Sequence, residues 1–208
     1  MTMSVTTRAI GADVQRIEGT DKVTGRARYA YEYEVPGALY VWPVPATIAR
    51  GHVRSVDGRP ALALPGVVAV LHSENAPRLQ PGDDPTIQVL QSAAVSYRGQ
   101  IVAAVAAETI EVAREAAAAV RVDYDVDEHH VVLSEHDPGI ALPETVNAGF
   151  AGVSEIGDVE GALAAAPVSV DATYSTPAEH ASPMEPHATI AHWDGDVLTV
   201  HDANQGPW

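Results

Sequence analysis

Residues Val95–Asp125 read VSYRGQIVAAVAAETIEVAREAAAAVRVDYD. Gly99–Ala106 form the most continuous apolar run in the chain, long enough for a strand and too short for a buried helix, which predicts a central strand. Thr109 then stands where a helix N-cap belongs, ahead of Ile110–Ala119. Within that stretch Ala113, Ala116, Ala117 and Val120 recur at the spacing of one helical face. Arg121, Asp123 and Asp125 next alternate with Val122, Tyr124 and Val126, the two-residue period of a half-buried strand. Strand, helix and strand follow one another with short connections.

Upstream, RPALALPGVVAVL predicts a helical turn stopped at Pro65-Gly66 and a buried strand over Val67–Leu71. ALYVWPV predicts an extended segment, and Pro43 and Pro45 make its far end an edge or a loop. Ala27, Tyr29, Tyr31, Tyr33 and Val35 alternate with Arg28, Glu32 and Glu34, which predicts a further half-buried strand before the Pro36-Gly37 turn. A Pro-, Gly- and Asp-rich loop is expected from about Glu74 to Pro85. These elements define an α+β layer fold.

Downstream, residues 127–150 lose periodicity and read as a linker. Asp158 is a candidate N-cap for a helix over Val159–Ala166, and Val168, Val170, Ala172 and Tyr174 alternate as a strand would. Asp194-Gly195, between the alternating runs ATIAHW and DVLTVHD, predicts a hairpin. Pairing Trp193 with Asp196 sets Ala191 opposite Leu198 and Thr189 opposite Val200, so this face is expected to pack on a core. The domain boundaries expected are a frayed N-terminus at 1–16, a first domain at 17–126, the linker at 127–150 and a second domain beginning at 151–208.

Composition narrows the function classes. With 12 Lys and Arg against 28 Asp and Glu, the net charge of −16 repels phosphate backbones, and nucleic acid is not expected as a partner. No cysteine is present, so an iron–sulfur cluster, thiolate zinc or cysteine nucleophile does not come from this chain. No segment approaches the ~20 apolar residues of a membrane span. The N-terminus MTMSVTTRAIGADVQ lacks a signal-like apolar core, so the expectation is a cytoplasmic protein, exported only alongside a partner. Phosphate-loop, dinucleotide and serine-hydrolase signatures are all missing.

Histidines 180, 187, 192 and 201 lie close in sequence. In the expected register His192 and His201 share a hairpin face but lie about 13 Å apart along the strand, too far for one metal ion. No metal ligands are therefore assigned. Glu179, Glu185, Asp194 and Asp196 show no spacing that favours a catalytic carboxylate pair over a solvated hairpin.

Six segments in order resemble one family. RIEGTDKVTGRARY (16–29), VPGALYVWPVPATIARGHVRSVD (35–57), ALPGVVAVL (63–71) and the Val95–Asp125 stretch resemble the α/β hammerhead domain of the xanthine dehydrogenase/aldehyde oxidase molybdenum-binding large subunit. HASPMEPH (180–187) and the run on to ANQGP (203–207) resemble the first strands of its molybdopterin-binding domain. Taken alone, the opening string is a turn before a strand, and Asn204-Gln205-Gly206 is a polar turn after a hairpin.

The resemblance implies oxidation of aldehydes or N-heterocycles such as purines at a pterin-bound molybdenum, with a general-base glutamate late in the family's chain. Electrons would pass to iron–sulfur and FAD partner subunits. It implies that Gln205 lies by the molybdenum, where an amide donates to a metal oxygen without titrating. Gly206 would let backbone approach the cofactor. Glu185 and His187 are expected to order the pocket wall rather than react. The chain stops at Trp208, and no catalytic residue is assigned. The 208-residue polypeptide alone is expected to bind no molybdenum and to be inactive. The alternatives are a non-catalytic docking module for the iron–sulfur or flavin subunit, or a truncated product whose last hairpin is mobile.

Overall fold

The computed structural model describes residues 11, 14–80, 88–132, 134, 136–146, 149–177 and 179–204. Its elements in chain order are α1 (Gly19–Val23), a 3₁₀ turn (Ala30–Glu32), β1 (Tyr40–Pro45), β2 (Gly51–Asp57), α2 (Arg59–Leu62), β3 (Val67–His72), β4 (Ala94–Val95), β5 (Ile101–Ala107), α3 (Ile110–Ala119), β6 (Arg121–Val126), β7 (Thr145–Val146), β8 (Phe150–Ala151), α4 (Val159–Ala165), β9 (Thr189–Asp194) and β10 (Val197–Asp202). The chain divides into an inner unit, Tyr40–Glu179, and an outer unit assembled from both chain ends, Met1–Leu39 with His180–Trp208.

The inner unit is built on β5. Its six residues Val102–Ala107 are all buried, and the strand lies between β1 and β3 in an antiparallel sheet. The apolar run of the sequence is thus the central strand it predicts. The alanines matter as much as the valines. Helix α3 buries Ala113, Ala116 and Ala117, and Ala116 and Ala117 form one core with Val44, Ala61, Val70, Ala103 and Val105. The Thr109 hydroxyl accepts a hydrogen bond from the Val112 amide at 3.2 Å and starts α3 where the sequence places it. Strand β1 pairs only with β5 among the described residues, so Pro43 and Pro45 sit on an edge, where a missing amide donor costs no ladder bond. Strand β3 is also an edge; Val70 is buried while Val68 is exposed, so the buried strand expected there is only partly buried.

Strand β6 joins a second antiparallel sheet, ordered β4-β2-β6, over a smaller core of Ala46, Val95 and Val102. At its head, Gly51 pairs with Val95 on one side and Val126 on the other. Gly51 has φ +146°, and a Cβ there would lie 2.1 Å from the Asp125 carbonyl oxygen. Only glycine lets the strands meet this closely. Further on, the Asp158 carboxylate caps α4 by accepting from the Gly161 amide at 2.9 Å.

Two expected strands are absent. Val168, Val170 and Tyr174 are more than 75% exposed in an unpaired segment: a period-two pattern makes a strand only where another strand supplies the ladder, and none of the described ones does. In Ala27–Val35 the 3₁₀ turn replaces a strand. The Tyr29 amide donates to the Glu32 carboxylate at 2.7 Å, and the Ala30 amide donates to the Glu185 carboxylate at 2.9 Å. The donors a strand would give to a neighbour are spent on carboxylates.

The hairpin forms, but its register differs from the expected one by two residues. Trp193 pairs with Leu198, Ala191 with Val200 and Ile190 with His201, so the turn is Gly195-Asp196. Gly195, at φ +58°, takes the first turn position, where a left-handed residue matches the twist of the strands. A two-residue shift keeps every side chain on its face. The faces are nonetheless used the other way round: Ala191, Trp193, Leu198 and Val200 are exposed, while Ile190, His192, Thr199 and His201 are half-buried, with the 3₁₀ turn packed on the hairpin.

Candidate functional site

The residues singled out for chemistry cluster at the base of the β9–β10 hairpin. The Ala203 amide donates to the Ala188 carbonyl at 3.0 Å, and an imidazole nitrogen of His187, Nδ1, lies 3.0 Å from the Ala203 carbonyl. The Thr189 hydroxyl donates to the Asp202 carboxylate at 2.5 Å, and the Asn204 side-chain amide donates to the same carboxylate. The backbone is therefore held on both sides up to Asn204. Gln205 and Gly206, the residues assigned to the cofactor, lie outside the described residues.

Glu185 is half-buried and reaches back to Ala30, 155 residues away in sequence. Its charge-assisted hydrogen bond ties the MEPH loop to the N-terminal arm. The sequence carried no signal for this contact, because nothing local relates Glu185 to Ala30. His201 stacks on Tyr33 with ring centroids 3.9 Å apart and planes at 10°. His192 shares that face; in the observed register it is two residues along the strand from the partner of His201, about 7 Å rather than 13 Å. Its Nδ1 is buried without a hydrogen-bond partner among the described residues. Those residues hold no group of three or more His, Asp or Glu side chains arranged for a metal ion. Beside the hairpin turn, Glu34, Val35, Pro36, His192, Trp193 and Asp194 line an open cleft of about 400 Å³.

A second cleft, of about 380 Å³, opens in the inner unit at the head of β2, where Arg50, His52, Ser96 and Asp127 meet around Gly51. Arg50, Gly51 and His52 lie in one of the segments that resemble the family, but their meeting with Ser96 and Asp127 is not legible in the sequence, because those residues come from separate stretches of the chain.

Two family models match the chain in succession: the aldehyde oxidase and xanthine dehydrogenase a/b hammerhead domain over residues 24–128, and the molybdopterin cofactor-binding domain over 140–208. The chain belongs to the aldehyde oxidase/xanthine dehydrogenase family. It is 38% identical over 200 residues to the aldehyde oxidoreductase molybdenum-binding subunit PaoC of Escherichia coli (strain K12), covering 95% of this chain and 27% of that protein. It is 29% identical over 210 residues to the nicotinate dehydrogenase large molybdopterin subunit of Eubacterium barkeri, covering 96% of this chain and 48% of the other. Among solved structures, the reconstituted CO dehydrogenase from Oligotropha carboxidovorans aligns with a TM-score of 0.52 at 26% identity, over 77% of this chain and 23% of that one. The chain thus spans about a quarter to a half of the length of these curated relatives.

The described residues hold no cluster of ligating side chains, so a metal group seated here would bring its own ligands and take hydrogen bonds from the protein. No helix among them is long and apolar enough to cross a membrane.

Proposed function

We propose that this chain is the N-terminal portion of a molybdenum hydroxylase subunit that oxidises aldehydes or N-heterocycles such as purines in the cytoplasm and passes electrons to iron–sulfur and FAD partner subunits. The observation that carries the reading is the 38% identity to a molybdenum-binding aldehyde oxidoreductase subunit over 95% of the chain, with both family models in the same order. Residues 17–126 are the hammerhead domain, 127–150 the linker and 151–208 the start of the molybdopterin-binding domain. Gln205 serves as a neutral amide beside the metal group and Gly206 as its close backbone approach. The anchored hairpin base supports this role, since the side-chain and backbone bonds at Asn204 and Ala203 fix the chain just before Gln205.

The test begins with the gene. The reading frame is sequenced beyond the codon for Trp208, and the encoded subunit is purified with its neighbouring gene products. Its molybdenum content and its reduction of an artificial electron acceptor are then measured with aldehydes and purines. Molybdenum near one per subunit and acceptor reduction by either substrate class are expected. A molybdenum-loaded subunit that oxidises neither class would overturn the substrate assignment. Molybdenum above background in the purified 208-residue chain would overturn the view that this part alone does not hold it.

A further inference from the structure

We propose that Asn75 guards the free edge of β3: its side chain occupies the backbone groups through which that strand would otherwise pair with the β3 of a second copy of this chain. Strand β3 pairs only with β5 among the described residues, which leaves its other side without a ladder. The phase of the ladder decides which groups lie on that side. Pro43 of β1 has no amide hydrogen and stands opposite Ala104, so this pair exchanges no hydrogen bonds. Ala104 therefore turns its amide and carbonyl toward β3, where it faces Leu71. Successive residues of a strand point their backbone groups to opposite sides, so Val70 and His72 direct theirs to the free edge.

Asn75 holds a group from each of them. Its side-chain NH₂ donates to the Val70 carbonyl at 2.9 Å, and its side-chain oxygen accepts from the His72 backbone amide at 2.8 Å. The turn that carries Asn75 is fixed by the backbone amides of Asn75 and Ala76, which donate to the His72 carbonyl at 3.1 and 2.8 Å. An apolar, uncharged edge is a template for a further strand, and β3 reads VVAVLH, without Asp, Glu, Lys, Arg or Pro. Its own copy is the strand that fits. Run antiparallel about Leu71, each His72 amide meets the Val70 carbonyl of the other copy, and each imidazole stands opposite a valine rather than the other imidazole. The amide and the carbonyl of that pairing are the two groups that Asn75 holds. The register shift at Val68 interrupts the other end of the same edge, as the prolines interrupt β1.

The test compares the 208-residue chain with Asn75→Ala, and with Asn75→Ala joined to Val68→Lys, by sedimentation velocity over a concentration series. Hydrogen exchange at the His72 amide is followed in the same samples, and circular dichroism checks that each variant keeps the parent's spectrum. Asn75→Ala should self-associate at least about tenfold more tightly than the parent, the effect of freeing two backbone hydrogen bonds for the pair. Its His72 amide should exchange fast when dilute and slow down as concentration rises, whereas in the parent it is protected at every concentration. Val68 is 53% exposed, and a lysine there sets a charge at the edge. The double variant should therefore return to the parent's level of association, although the turn bonds of Asn75 stay lost. Three results overturn the proposal: Asn75→Ala associating no more tightly than the parent, association that Val68→Lys leaves unchanged, and association that comes with a lost native spectrum or leaves the His72 amide unprotected.

Discussion

Replacing Gly51 with alanine adds one methyl group at the point where β2 meets β4 and β6. The new Cβ would stand 2.1 Å from the Asp125 carbonyl oxygen and 3.0 Å from Ile48 Cδ1. Ordinary carbon–oxygen contacts begin near 3.3 Å, so β6 must retreat by about 1 Å or β2 must rotate. Either movement breaks the ladder at its head, and one or two backbone hydrogen bonds at about 1 kcal/mol each are lost. The φ of +146° adds about 1–3 kcal/mol of conformational strain for any residue with a side chain. The sum is about 2–5 kcal/mol, a large part of the 5–15 kcal/mol that holds a typical domain together. Urea denaturation followed by circular dichroism, with a heating curve beside it, measures the effect; a fall in Tm on the order of 10 °C is expected. Gly99→Ala is the matched control. Gly99 has φ +98° but nothing within 4 Å of its virtual Cβ, so it carries the conformational part alone, about 1–3 kcal/mol. A Gly51→Ala variant within 1 kcal/mol of the parent, or one no worse than Gly99→Ala, refutes the steric reasoning.

Three further outcomes follow from the hydrogen bonds. Thr109→Ala leaves the Val112 amide without its cap and should cost about 1 kcal/mol in urea denaturation, whereas Thr109→Ser should be nearly neutral. Glu185→Ala strips the acceptor from the amide of buried Ala30; hydrogen exchange at that amide should speed up, in keeping with about 1–3 kcal/mol of local destabilisation. The hydrogen bonds from Arg59, followed by its charge, hold the Asp57 carboxyl at about 2, down from 3.8. Because the folded-state value is depressed, the stabilisation from this pair is present above 3.8 and is lost as pH falls toward 2. Carbon-detected NMR titration should find that low midpoint, and Arg59→Gln should return it toward 3.8; an unchanged midpoint in the variant would dismiss the pairing.

The elements legible in the sequence are those whose signals are local. Thr109 and Asp158 announce their helices because a cap needs only the amide three residues on. The buried run of β5 announces a central strand because both of its faces are covered. What failed depended on partners far along the chain. The alternation at Val168–Tyr174 is as regular as that of β6, yet β6 has β2 beside it and the other segment has no strand among the described residues. The tyrosine-rich arm became a turn because Glu185 supplies an acceptor from the other end of the chain. The hairpin was legible as a hairpin, while its outward apolar face was not, since the sequence pattern marks two faces without saying which one meets the arm. At the candidate site, the supporting bonds of His187 and Glu185 required coordinates, and the cleft around Arg50 joins residues from three separated segments.

The outer unit takes one part from each end of this stretch of chain, and the inner unit's residues come between them in sequence. During synthesis this imposes a waiting time. Ala30 emerges first, and its acceptor Glu185 is made 155 residues later, roughly ten to thirty seconds at about 5–20 residues per second. The inner unit, whose strand contacts are closed within Tyr40–Glu179, can condense during that interval. The N-terminal arm meanwhile displays Tyr29, Tyr31 and Tyr33 with nothing to cover them, and is the part of the nascent polypeptide on which a chaperone would act. A circular permutant of this 208-residue stretch that joins its two ends and opens the chain within Tyr40–Glu179 would bring arm and hairpin off the ribosome together and remove the delay.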